Sequence, residues 1–77
     1  MIKGDYKITI RQHVINRAIQ RKICPDLIKE TIQTGKMKKF GKNRVKFEKK
    51  FRRFVITCVD EIIRNTIFIV TIEKKRR

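Results

Sequence analysis

The single histidine of the chain, His13, is followed at steps of four by Arg17 and Arg21 within HVINRAIQRKI. A neutral imidazole can take or give a proton near neutral pH, and a guanidinium presents a planar fork of donors that matches a phosphate. Metal-independent cleavage of RNA needs such parts. One group withdraws the 2′-OH proton, and cations stabilise the charge developing on the phosphorane. On a helix, residues at this spacing form one stripe beside the apolar arc that begins at Val14, and neighbours three or four apart touch. No carboxylate relieves the row at those spacings, so the three repel unless an anion lies between them. An ordinary amphipathic helix also shows such a stripe to water, with His13 bonded to backbone near the helix start. Helix geometry alone favours this second reading, since amphipathic helices supply such stripes routinely.

The elements that must position these residues follow from periodicity. YKITI (Tyr6 to Ile10) alternates and suits a short first strand. Val14, Ile15, Ala18, Ile19 and Ile23 fall on one arc, which predicts an amphipathic helix from about His13 to Lys22. CPDLIKETIQTG predicts a second helix. Pro25 fits the first helical position, Asp26 and Glu30 lie toward the positive end of the dipole, and Gly35 is the expected C-cap. After Gly35 the period changes to two. KMKKF and RVKFE, joined by Gly41-Lys42-Asn43, predict a hairpin. RRFVITCV (Arg52 to Val59) and TIFIVTIE (Thr66 to Glu73) follow as strands, with Asp60 to Asn65 as their connection. Both strands are apolar on two faces, which marks them as central. The helices cover one face of the sheet, and a second copy of the chain or another protein could cover the other. The expected organisation is a single domain over residues 1–73 with a solvated basic tail at 74–77. The fold class is α+β: a short N-terminal strand and two helices packed on a curled antiparallel sheet of about four strands.

Charge narrows the partner. Lys and Arg number 22 against 7 Asp and Glu, a net +15 on 77 residues. Ion-pair networks need both signs, so most cations here await an external anion, with nucleic acid ahead of a membrane surface. Two cysteines without CxxC and a single histidine exclude zinc-finger spacing, so no metal and no cofactor is expected. MIKGDYK has no apolar centre of a signal peptide, and the longest apolar run, Ile67 to Val70, is far too short to span a bilayer. A reducing cytoplasm fits these features.

KMKKFGKNRVKFEKKFRRF (Lys36 to Phe54) interleaves cations with four phenylalanines. Strand alternation predicts Phe40, Phe47 and Phe54 inward, and leaves Lys39, Lys42, Arg44, Lys46, Arg52 and Arg53 as candidate nucleic-acid contacts. Cys24, at a helix start, is read as a small residue standing in for serine, and Cys58 as core. No Walker A, GxGxxG or paired-carboxylate pattern is present.

The run ITIRQHVINRAIQRKICPDLIKETIQTG resembles the opening of a widespread uncharacterised family of small bacterial and archaeal proteins. Its pattern is a short strand, then H-x3-R-x3-R-x-I, then a second helix ending in glycine. The match covers His13, Arg17, Arg21, Ile23, Ile28, Ile32 and Gly35, and the closing IVTI fits the strand-rich second half. That family is similar in layout to the RelE and BrnT-type toxins, metal-free ribonucleases held in check by a cognate antitoxin. Cys24 departs from the usual serine, and the Asp-Gly common between the last strands is missing. The resemblance implies a RelE-like fold and RNA as partner, in a ribosomal setting or outside it. An acidic antitoxin and toxin-type endoribonuclease activity are further implied candidates, and the uncovered sheet face adds a homodimer. His13 is then the acid/base candidate, and Arg17 and Arg21 the phosphate grip. The alternatives are a non-catalytic nucleic-acid-binding module and a small interaction subunit.

Overall fold

The computed structural model describes residues 2–77; Met1, where the expected domain begins, lies outside them. The chain orders as β1 (Ile2–Lys3), β2 (Tyr6–Ile10), α1 (Gln12–Gln20), α2 (Pro25–Thr34), β3 (Lys36–Phe40), β4 (Arg44–Lys50), β5 (Phe54–Ile63) and β6 (Thr66–Arg76). This is an α+β fold with two helices on one sheet, in the spatial order β1-β2-β6-β5-β4-β3. The four strands from β3 to β6 are antiparallel, as alternation predicts. The sheet is nevertheless mixed, because β2 joins β6 in parallel. β5 and β6 are central, in keeping with their apolar character on both faces.

The core lies between the helices and one face of the sheet. Val45, Phe47, Ile56, Cys58, Ile67, Ile69 and Ile72 meet Val14, Ala18, Ile23, Ile28 and Ile32, all buried. The apolar arc of α1 is narrower than its periodicity suggests. Val14 and Ala18 are buried against the sheet but Ile19 is 54% exposed. Phe47 is fully buried and Phe54 packs against the core, whereas Phe40 turns outward, on the face of Arg44 opposite it in β4.

The helix ends follow local chemistry. At the end of α1, Ile23 N–H donates to the Ala18 carbonyl and Lys22 N–H to the Ile19 carbonyl. Lys22 adopts φ 61° between them, which is the Schellman arrangement, and the buried Ile23 anchors it. Cys24 occupies the N-cap of α2 without a side-chain capping bond, and Pro25 follows. Gly35 ends α2 in extended backbone, φ −75° and ψ 171°. Its glycine is needed for close approach and not for a left-handed cap: a Cβ there would stand 2.7 Å from the Glu48 carbonyl oxygen and closer still to that of Thr31.

The last two strands are longer than their sequence pattern implies. Asp60 to Ile63 belongs to β5, so the expected connection shrinks to a tight Arg64-Asn65 turn with Arg64 at φ 56°. Lys74 to Arg76, expected as a tail, completes β6 opposite Phe54 to Ile56. Arg77 is held as well, its backbone N–H donating to the Arg53 carbonyl and its guanidinium to the Phe51 carbonyl.

Candidate nucleic-acid interface

β6 changes partners partway along its length. β2 accompanies it only as far as the pair Ile10 and Ile69. On the other side, Asp60 lies opposite Ile69 and Val59 opposite Thr71, which makes Val70 the extra residue of a β-bulge. Bulges bend a strand and re-aim its side chains, and Val70 is 49% exposed. From Val70 onward no strand among the described residues pairs with the β2-side edge of β6. α1 lies along it instead.

The cationic stripe runs down this edge. Val14, Arg17 and Arg21 line a narrow cleft with Val70, Thr71 and Ile72, with a volume of about 20 Å³, room for a single water or phosphate oxygen. One Arg21 guanidinium N–H donates to the Ile72 carbonyl at 3.1 Å, so Arg21 closes part of the open edge and keeps its remaining donors. Next along, Lys74 Nζ reaches the Lys22 carbonyl at 3.5 Å and lies 4.5 Å from the centre of the Phe54 ring. His13 to Arg21 spans roughly 12 Å at the helical rise, close to the roughly 13 Å from Val70 to Lys74 at the strand rise. The helical stripe and this stretch of strand are therefore of similar length, and the strand adds Lys74 and the carboxylate of Glu73 beside Arg21.

His13 is exposed and lines a second cleft, of about 180 Å³, with Arg11, Val14, Glu61, Ile63, Phe68, Ile69 and Val70. The two clefts share Val14 and Val70, so they join at the bulge. Among the described residues His13 has no hydrogen-bond partner, which leaves both ring nitrogens to solvent or ligand. Arg11, extended at the N-cap of α1, holds its guanidinium 5.8 Å from the centre of the Phe68 ring.

The second cleft opens onto the helix-free face of the sheet. Register puts Phe40, Arg44, Glu61, Phe68 and Thr9 in one row across that face, and Lys38, Lys46, Val59 and Thr71 in the next. Arg44 and Lys46 thus sit within reach of the His13 cleft. Lys42 lies in the turn beyond Phe40. Lys39 pairs with Val45 and so points to the other face. Arg52 and Arg53 occupy the β4–β5 turn, roughly 20 Å from His13 by strand rise, where they cluster with Arg76 and Arg77. The candidate contacts therefore separate into a group near His13 and a group at the far end, linked by the edge of β6.

Glu61, Phe68, Arg11 and Lys74 were not singled out by their sequence setting. Glu61 lay in a stretch read as connection, and Lys74 in one read as tail. Alternation extended through Ile63 would have placed Glu61 on the open face. Two acidic and thiol groups lie elsewhere: burial pushes the Asp60 carboxyl up to about 8, and burial together with Asp60 pushes the Cys58 thiol up to about 12. Cys58 is core and unreactive, and Cys24 is exposed. No group of three or more His, Cys, Asp and Glu side chains able to hold a metal ion occurs among the described residues, and no helix among them is long and apolar enough to cross a membrane. No family model, curated protein or solved structure matches this chain.

Proposed function

We propose that this protein binds single-stranded RNA along the α1–β6 edge and cleaves it without a metal, in the manner of RelE and BrnT-type toxins. The observation that carries this reading is the alignment of His13, Arg17 and Arg21 with the strand edge opened by the Val70 bulge. Arg17 and the free donors of Arg21 hold the phosphate, and they stabilise the charge that builds on it as a neighbouring 2′-oxygen attacks. His13, solvent-facing in the adjoining cleft, transfers the proton to or from the reacting ribose. Arg44 and Lys46 on the open face and Lys74, Arg52 and Arg53 beyond Arg21 guide the strand on either side. An acidic partner that covers the same cations would act as the inhibitor.

The rival reading is a non-catalytic RNA-binding module on the same cations. One observation favours it: among the described residues no group hydrogen-bonds the His13 ring, whereas a catalytic histidine is commonly fixed by a bond to its second nitrogen. Cleavage of RNA in EDTA, with binding measured across a salt series, separates the two. Arg17→Ala is expected to weaken binding and to flatten the slope of log affinity against log salt by about 0.7, the loss of one single-strand phosphate contact. His13→Ala is expected to abolish cleavage and keep most of the affinity. Absence of cleavage in the wild type would leave the binding module, and affinity indifferent to salt would end both readings.

A further inference from the structure

The cleft that holds His13 ends at a carboxylate, a group that an RNA phosphate avoids. Glu61 stands on the open face between Arg44 of β4 and Phe68 of β6. It is exposed, and among the described residues it has neither an ion-pair nor a hydrogen-bond partner, although Arg44 is directly opposite. An ionised carboxylate only accepts, through two adjacent oxygens. Beside it, Phe68 is half-buried and keeps ring surface toward the cleft, with the Arg11 guanidinium 5.8 Å from its centre. A flat aromatic surface, a bidentate acceptor and an adjacent guanidinium form a set suited to one planar, hydrogen-bonding ring system. The cleft volume of about 180 Å³ falls below the ~300 Å³ at which pockets for drug-sized ligands begin, which is the right scale for a single base.

We propose that Arg11, Glu61 and Phe68 form a guanine subsite, in which a guanine base stacks on Phe68 and donates its N1–H and N2–H to the Glu61 carboxylate. This rests on the RNA-binding reading and extends it to sequence preference. Guanine is the one standard base with two adjacent donors on its Watson–Crick edge. Adenine and cytosine each set one donor beside a ring acceptor, and uracil has one donor between two carbonyls. Each of these would turn a lone pair toward the carboxylate. Arg11 lies over the Phe68 ring at 5.8 Å, so it swings aside to admit the base and then stacks over it or donates to guanine O6 and N7, the usual arginine–guanine contact. The charges also orient the nucleotide: Glu61 repels phosphate while Arg17 and Arg21 attract it. The base therefore points into the Glu61 end and the phosphate toward Arg17, which carries the sugar past His13.

The test uses 2′-O-methyl oligouridine heptamers, which resist cleavage, with guanine, inosine, adenine, cytosine or uracil at the central position. Their binding to the full chain is followed by fluorescence anisotropy. Guanine is expected to bind at least about tenfold tighter than adenine, cytosine or uracil, with inosine, which lacks the N2 amine, in between. Glu61→Gln should remove the guanine preference while affinity for the all-uridine oligomer stays level or rises. Phe68→Leu should weaken every oligomer. Equal affinities for the five oligomers, with salt-dependent binding intact, would overturn the subsite and leave RNA binding standing. So would a Glu61→Gln variant that slows cleavage of all substrates alike but keeps its base preference. Lack of salt-dependent binding to any oligomer would instead remove the RNA reading itself.

Discussion

Asp60 provides a sharp test of the energetics of this fold. It is 1% exposed on the helix-covered face, between Val45 and Ile69, and among the described residues neither carboxylate oxygen has a hydrogen-bond partner. Burial favours the neutral acid and raises its pKa from 3.8 to about 8. Below pH 3.8 the folded and unfolded chains both hold the proton, and Asp60 leaves stability unchanged. Between there and about pH 8 the unfolded chain ionises first, so it binds fewer protons and stability falls as pH rises. The slope is about 1.4 kcal/mol per pH unit, which accumulates to about 4 kcal/mol by pH 7 and about 6 above pH 8. A domain of 77 residues has on the order of 4–12 kcal/mol in total, so the protein should be distinctly less stable at pH 8 than at pH 5. Asp60→Asn removes the titration. The amide brings unpartnered donors that cost about 1–3 kcal/mol at every pH, so the informative quantity is the pH slope and not the offset. Urea unfolding of wild type and variant from pH 4.5 to 8.5 should give curves that diverge with pH in favour of the variant. Parallel curves would refute the reasoning, since they would mean that folding leaves the titration of Asp60 unshifted.

Two further predictions concern the backbone. Gly35→Ala forces a methyl against the Thr31 and Glu48 carbonyls, where α2 meets β4. It should cost about 2 kcal/mol or more, read as a lower urea midpoint with an unchanged slope. Lys22→Gly relieves a side chain held at φ 61°. The left-handed strain of about 1–2 kcal/mol is offset by about 0.5–1 kcal/mol of glycine entropy, for a net gain of up to about 1.5 kcal/mol in thermal unfolding; a lower midpoint would show that Lys22 contributes more through its contacts than it costs in strain.

The helical half was the more legible part of the chain because its signals are local. Pro25, the spacing of Ile28 and Ile32, and Gly35 bound α2 almost to the residue, although Gly35 serves close packing and not a left-handed turn. The strands were harder. Asp60 and Glu61 read as turn residues, yet Asp60 is carried into the core by the pairing of β5 with both neighbours, and Glu61 follows it into the strand. Lys74 to Arg76 look like a tail until pairing with Phe54 to Ile56 gives their backbone a ladder. Tertiary pairing overrode composition in both cases. The stripe of His13, Arg17 and Arg21 was visible from spacing alone, but its setting was not. Nothing local to Val70 announces a bulge, and Glu61 and Phe68 become neighbours only through register.

The bulge gives the stripe its chemical setting. An α-helix on the middle of a sheet offers its flanking cations to water, with no strand edge beside them. Here β2 stops at Ile10, and Val70 is inserted one residue beyond its pairing with Ile69. That insertion leaves carbonyls of β6 for Arg21 and opens the cleft in which Arg17 lies. Arg21 then has two roles that compete for its five donors: it closes the Ile72 carbonyl and it faces the anion site. A phosphate bound between Arg17 and Arg21 would meet a guanidinium already oriented by that carbonyl, with less side-chain freedom left to lose on binding. The same bond makes Arg21 partly structural, which is why Arg17 is the cleaner probe of phosphate binding. His13 lines the second cleft next to Val14, one of the two residues the clefts share, and in the proposed binding mode a strand with its phosphate on the arginines and its base toward Glu61 brings its ribose there.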